Sequence, residues 1–338
     1  MNESSCLLLT LALSGITAVR HSRAERILFL SLLWFMLLPC ITHGAERQHG
    51  SFEVGGIYVR QANNFSTNSK ARINNLNTRA PSESMTRPFA LIHLSTGYGK
   101  NNRLYLRTDP EQMDDLNIYL GTHIPLSDRG NRLDIAVFTS PLFSEAWKNP
   151  YATGSAREET DVIGYGIRIA LNDVLGSSLN VSLKAAVVDV DDDEIGGMYR
   201  NLRRDGRVYT VTGEYRFSLT SNLSMTPSLN LDRGDFKGKS NSFYRYGMAL
   251  KWMYAKGDMT FIPMIRYSFA TYDENHPIFD KRREDHRYLA ALMITFSNPF
   301  GLQDFFIRTI GGYGSTESNI TFCDATGKFV GLTIGYRF

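Results

Sequence analysis

The 338-residue chain carries 37 Lys and Arg against 34 Asp and Glu, a formal net charge of +3 at pH 7. A balance so close to neutral excludes a general electrostatic affinity for nucleic acid. Two of the three cysteines, Cys6 and Cys40, fall in the first 44 residues, so the rest of the chain holds Cys323 alone and can form no internal disulfide.

Residues 1–44 read as a leader. The apolar run Ile27–Ile41 follows the basic residues Arg20, Arg23 and Arg26 and precedes Thr42, Gly44 and Ala45. That order is the pattern of a secretory signal peptide, placed here at about 20–44 with cleavage near Gly44 or Ala45. An earlier apolar run, Cys6–Val19, suggests a translation start near Val19. Without the leader the balance is 34 basic against 32 acidic residues. Residues 45–338 read as one domain, in which no apolar run is long enough for a helix to cross a bilayer.

Period-two segments recur through that domain, at 51–60, 88–98, 102–108, 115–124, 131–140, 160–171, 178–188, 206–217, 223–232, 242–254, 258–270, 285–297, 303–313 and 329–338. Their connections alternate in length. Short links stand at 99–101, 125–130, 172–177, 218–222, 255–257 and 298–302; long ones at 61–87, 141–159, 189–205, 233–241, 271–284 and 314–328, with 109–114 intermediate. Short turns at one end and long loops at the other are the signature of an up-and-down antiparallel barrel in the outer membrane. Fourteen strands would put both ends of the barrel in the periplasm. Twelve is the alternative, since 102–108 is short and the first segment alternates poorly.

The segment faces agree with a lipid-exposed exterior. Leu179, Val181, Leu183, Ala185 and Val187 share one side of their segment, while Asn180, Ser182 and Lys184 share the other. Tyr244, Tyr246, Met248, Leu250, Trp252 and Tyr254 form a similar row, aromatic toward both ends. From the fourth segment onward the outward faces carry no Lys or Arg in their central part; each would cost about 2–4 kcal/mol at the bilayer midplane. Pro227 and Pro263 fall mid-segment on that face, where a missing N–H predicts a bulge or other irregularity. The final segment sets Val330, Leu332, Ile334, Tyr336 and Phe338 on one face and ends on an aromatic residue. The row Leu332, Ile334, Tyr336 and Phe338 resembles the terminal signal read by the barrel-assembly machinery, an expected partner together with outer-membrane lipid.

With Phe338 outward, the inward set includes Arg168, Lys184, Arg216, Arg245, Lys251, Arg266, Arg287, Arg308 and Arg337. The inward acids are Asp134, Glu214 and Asp304. Such a lumen is either an anion-preferring path or an Arg–carboxylate network bracing the wall.

Three stretches, WKNPYATGSAREETDV (Trp147–Val162), VVDVDDDEIG (Val187–Gly196) and LRRDGRVY (Leu202–Tyr209), together resemble the Gram-negative barrel family called domain of unknown function 2860. The resemblance spans nearly the whole domain. It implies an outer-membrane barrel and brings no established activity and no catalytic residues.

Other chemistry is sparse. The acidic run Asp189, Asp191, Asp192, Asp193 and Glu194 could gather around Ca²⁺. It lacks the glycine and distal Glu of an EF-hand loop, so the run reads rather as a solvated turn near Arg200, Arg203 and Arg204, with no metal and no cofactor expected. His93 with Ser95, or Asp285 with His286, could begin a hydrolytic site, although neighbouring strand residues point to opposite faces. The aromatic stretch Phe143–Tyr151 is expected to pack over the barrel mouth. The leading functional expectation is a porin-like passive channel for small hydrophilic, anionic solutes rather than an enzyme. The alternatives are a non-conducting surface barrel whose loops bind partners, and a barrel hydrolase.

Overall fold

The computed structural model describes residues 49–99, 101–108, 117–127, 130–140 and 144–338. The leader read at 1–44, the 109–114 link and Phe143 lie outside them. The strands are β1 (His49–Asn63), β2 (Glu83–Tyr98), β3 (Asn102–Thr108), β4 (Ile118–Pro125), β5 (Arg132–Thr139), β6 (Glu145–Trp147), β7 (Glu159–Asn172) and β8 (Leu179–Val190). They continue with β9 (Gly206–Tyr215), β10 (Phe217–Ser218), β11 (Leu223–Phe236), β12 (Phe243–Lys256), β13 (Met259–His276), β14 (Lys281–Ser297), β15 (Phe305–Ser318) and β16 (Ala325–Arg337).

Fourteen of these form a closed antiparallel barrel, each pairing with its neighbours in the sequence. The seam runs from Ser51 opposite Arg337 to Asn63 opposite Ala325, and Phe338 and Gly50 exchange both backbone hydrogen bonds just below it. β6 pairs only with β7, and β10 prolongs β9 past a break. The twelve-strand alternative is thereby excluded, because the short β3 pairs on both sides.

The outside of the wall is apolar. Leu229 is 67% exposed, Val137 56% and Ile334 55%, with Tyr58, Tyr165, Tyr246 and Tyr336 also outward. Pro227 and Pro263 produce no bulge, which corrects part of the sequence expectation. Pro227 lies where Tyr215 and Arg216 fall out of the ladder between β9 and β10, yet the register on the two sides of that gap is continuous. At Pro263 the pairing of β12 with β13 skips from Lys251–Met264 to Tyr254–Phe261, again in register. Each proline removes a donor without inserting a residue.

The strands reach beyond the sequence reading at the loop end. β13 runs to His276 and β14 starts at Lys281, so most of the segment read as a 271–284 loop is ladder. The polar residues there (Asp273, Glu274, Asn275, Arg282) break the apolar alternation, and the register shifts between Thr271 and Asn275, where Tyr272, Asp273 and Glu274 stand opposite Arg283 alone.

Candidate functional site: the lumen and its cap

Period-two geometry brings the inward residues of successive strands into cross-strand rows. One row, followed partner by partner, passes Tyr105, Gly121, Ala136, Arg168, Lys184, Thr210, Asp232 and Arg245. It flanks an interior cavity of about 1200 Å³. Among the described residues, eight Lys or Arg and three acids line that cavity: Arg107, Arg168, Lys184, Arg245, Lys251, Arg266, Arg287 and Lys328, against Asp134, Glu214 and Asp232. Lys328 belongs to the outward-facing parity of β16, so seven of the cations are inward.

The acids are heavily engaged. Asp134 is 1% exposed; Arg168 Nη1 donates to it at 2.6 Å, Tyr105 donates its hydroxyl at 2.9 Å, and His123 Nδ1 lies 2.8 Å away. Gly121 makes this possible, since a Cβ there would stand 2.6 Å from the Tyr105 oxygen. Asp232 accepts from Arg245 Nε at 2.6 Å and from Asn230 at 3.1 Å. Glu214 accepts from Asn180. A buried carboxylate without such donors would be strongly disfavoured, so these pairs hold the wall in one arrangement. Aromatic rings share the positive charge: Arg107 lies 5.1 Å from the Tyr105 centroid, and Lys184 lies 4.6 Å from that of Phe138. Such contacts are worth about 0.5–2 kcal/mol depending on desolvation.

The loop end carries a folded cap. Ile320, Phe322 and Cys323 are buried against Phe65, Ile73, Leu76, Tyr151 and Phe279, residues from four separate loops. Phe65 also meets Arg283, whose guanidinium carbon lies 5.6 Å from its ring. Arg283 and Arg287 both converge on the fully buried Asp285 at the inner face of β14. The loop at 64–82 therefore folds over the mouth.

Arg157 ties that loop to the segment before β7. Nη1 donates to the carbonyls of Asn64 and Pro150, Nη2 to the Lys70 carbonyl and the Ser69 hydroxyl, and Nε to the Ala71 carbonyl. All five guanidinium N–H groups have acceptors, and Trp147 stacks below at 4.3 Å. Burial pulls the Arg157 pKa down to about 10, well above physiological pH, so the group stays charged. The Cys323 thiol, 2% exposed, is pushed up to about 11 by burial and is neutral at pH 7.

A family model described as "Protein of unknown function (DUF2860)" matches residues 48–337. The chain belongs to this family. No curated protein matches the sequence. Among solved structures, the outer membrane channel DcaP of Acinetobacter baumannii is 11% identical, with 87% of this chain and 98% of that one covered and a TM-score of 0.44. OccK3 (OpdO) of Pseudomonas aeruginosa is 12% identical, with 90% and 99% covered and a TM-score of 0.39. An anion-selective porin from Comamonas acidovorans is 9% identical, with 86% and 99% covered and a TM-score of 0.40. At such identities and scores none of them bears on what this chain carries.

Of the nine cations read as inward, Arg168, Lys184, Arg245, Lys251, Arg266 and Arg287 line the cavity. The other three do not. Arg308 pairs with the buried Glu53 at 2.6 Å, Arg337 stacks on Phe306 at 4.4 Å, and Arg216 is exposed at the break between β9 and β10. Asp304 is an exposed turn residue with φ of 68°, outside the wall. The acidic run is dispersed. Asp193 caps the short helix α1 (Glu194–Met198) and pairs with Arg204, Asp192 pairs with Lys148, and Asp189 stays in β8 opposite Ile163 of β7. Among the described residues no group of three His, Cys, Asp or Glu could hold a metal. The imagined hydrolytic pairs are not assembled either: Ser95 donates to the His49 carbonyl, and His286 faces Tyr267 while Asp285 turns inward to arginine.

Sequence reading missed Glu53, Asp232 and Arg107. Asp232 has inward parity and was readable, but it closes its segment. Glu53 and Arg107 lie on early strands whose alternation is broken by residues such as Gly55 and Gly56.

Proposed function

We propose that the protein resides in the outer membrane of a Gram-negative bacterium and passes small hydrophilic solutes, anions in preference, through its lumen. The observation that carries this reading is the cavity of about 1200 Å³ inside a closed barrel, lined by seven inward-facing basic residues and three acidic ones among those described. A membrane setting is supported by the exterior, since a continuous belt of outward Val, Leu, Ile and Tyr is unfavourable in water and favourable in lipid. Fixed positive charge in a low-dielectric wall raises the local anion concentration along any water path.

The folded cap supports a second reading, a barrel closed at its loop end whose loops bind partners. Purified full-length protein in a planar bilayer separates the two. Discrete conductance steps in potassium chloride are expected; a silent membrane at every voltage, with the protein shown to be inserted, would leave the closed barrel.

A further inference from the structure

The lumen is not uniformly polar. Val59 on β1 pairs with Phe329 on β16, and Ile57 lies at the next inward position of β1. Phe329 lies flat against the wall because its neighbour is Gly312, where a Cβ would come within 2.5 Å of Phe329 Cζ. A second apolar patch joins Ala186 and Val208, which pair across β8 and β9, to Val188. In a ring of fourteen strands the β16–β1 seam and the β8–β9 pair are seven strands apart in either direction, so the two patches face each other across the cavity. Basic groups adjoin them. Lys184 is the next inward residue below Ala186 on β8 and Arg168 is its cross-strand partner, while Arg266 lines the same cavity from β13, three strands from either patch.

A path built only for inorganic or strongly hydrated ions has no use for facing apolar surfaces, which hydrate poorly and contribute nothing to ion stabilisation. An amphipathic anion uses both. Its ring or branched chain loses water between Val59–Phe329 and Ala186–Val208, while its carboxylate meets Lys184, Arg168 or Arg266. We propose that the lumen selects small organic carboxylates with an apolar body, a ring-bearing acid above all; this rests on the channel reading and specifies its solute class.

The test is equilibrium binding to the full protein in detergent, by titration calorimetry corrected for empty micelles, with benzoate, acetate and benzyl alcohol as probes. Benzoate is expected to bind about ten-fold tighter than acetate, the order of gain from burying part of a ring, and tighter than the uncharged alcohol. Replacing Val208→Ser together with Phe329→Ser should abolish the preference and leave acetate binding in place. Val208→Thr, close to isosteric, should reduce it and serves if the double variant does not fold. Equal affinity for benzoate and acetate, an alcohol as tight as benzoate, or a preference that survives in the folded variants would overturn the proposal. Chloride conductance is read separately. A barrel that conducts without preferring benzoate loses this inference alone, and one that binds benzoate but never conducts loses the channel.

Discussion

Arg157 has no carboxylate partner among the described residues, yet it is 5% exposed and saturates four carbonyls and one hydroxyl. Its loss would strand those acceptors in a dry site, at about 1–3 kcal/mol for each one left unsatisfied. Cys323, at the centre of the same cap and neutral at pH 7, reports on that packing, because thiol labelling requires the cap to open. Arg157→Met is expected to speed maleimide labelling of Cys323 at least about ten-fold, since roughly 1.4 kcal/mol of lost opening energy gives that factor. Arg157→Lys, with three donors in place of five, should fall between. Labelling as slow in Arg157→Met as in the native protein would show that other contacts hold the cap. Nothing in the residue types of loops 64–82 and 148–158 announces this arrangement. Carbonyl acceptors leave no trace in a sequence.

Among the elements, the strands were legible wherever one face is continuously apolar. β8 and β12 alternate cleanly because an outward polar side chain there is costly. The upper parts of β13, β14 and β15 were not legible, because above the apolar belt the ladder holds without any demand on side-chain polarity. The inward charges could be read by parity on regular strands, as with Arg168 and Arg245, but not at Asp304, which sits in a turn, or at Arg216, which falls in the break between β9 and β10. The last strand carries its own prediction. Phe338 exchanges two backbone hydrogen bonds with Gly50 and stacks on Tyr336, so it fastens the seam where the barrel closes. Deleting it should lower the heat-modifiable, membrane-inserted fraction several-fold, whereas Phe338→Tyr should assemble normally. Equal assembly of the deletion and the native chain would show that the seam closes without it.

The whole molecule is a barrel with an apolar exterior and an interior held by ion pairs that leave an excess of positive charge around a cavity. The pairs Arg168–Asp134 and Arg245–Asp232 brace the wall, so removing either arginine would strand a buried carboxylate and disturb the fold as well as the field. Lys184 and Arg266 also line the cavity, each from a regular wall strand, and serve as the probes. The most direct measurement is the reversal potential of the inserted protein across a planar bilayer in a potassium chloride gradient. The account predicts anion preference that grows as salt is lowered from 1 M, where screening acts within about 3 Å, and that weakens in the Lys184→Gln, Arg266→Gln double variant. Cation preference, or selectivity unaltered in that variant, would contradict it.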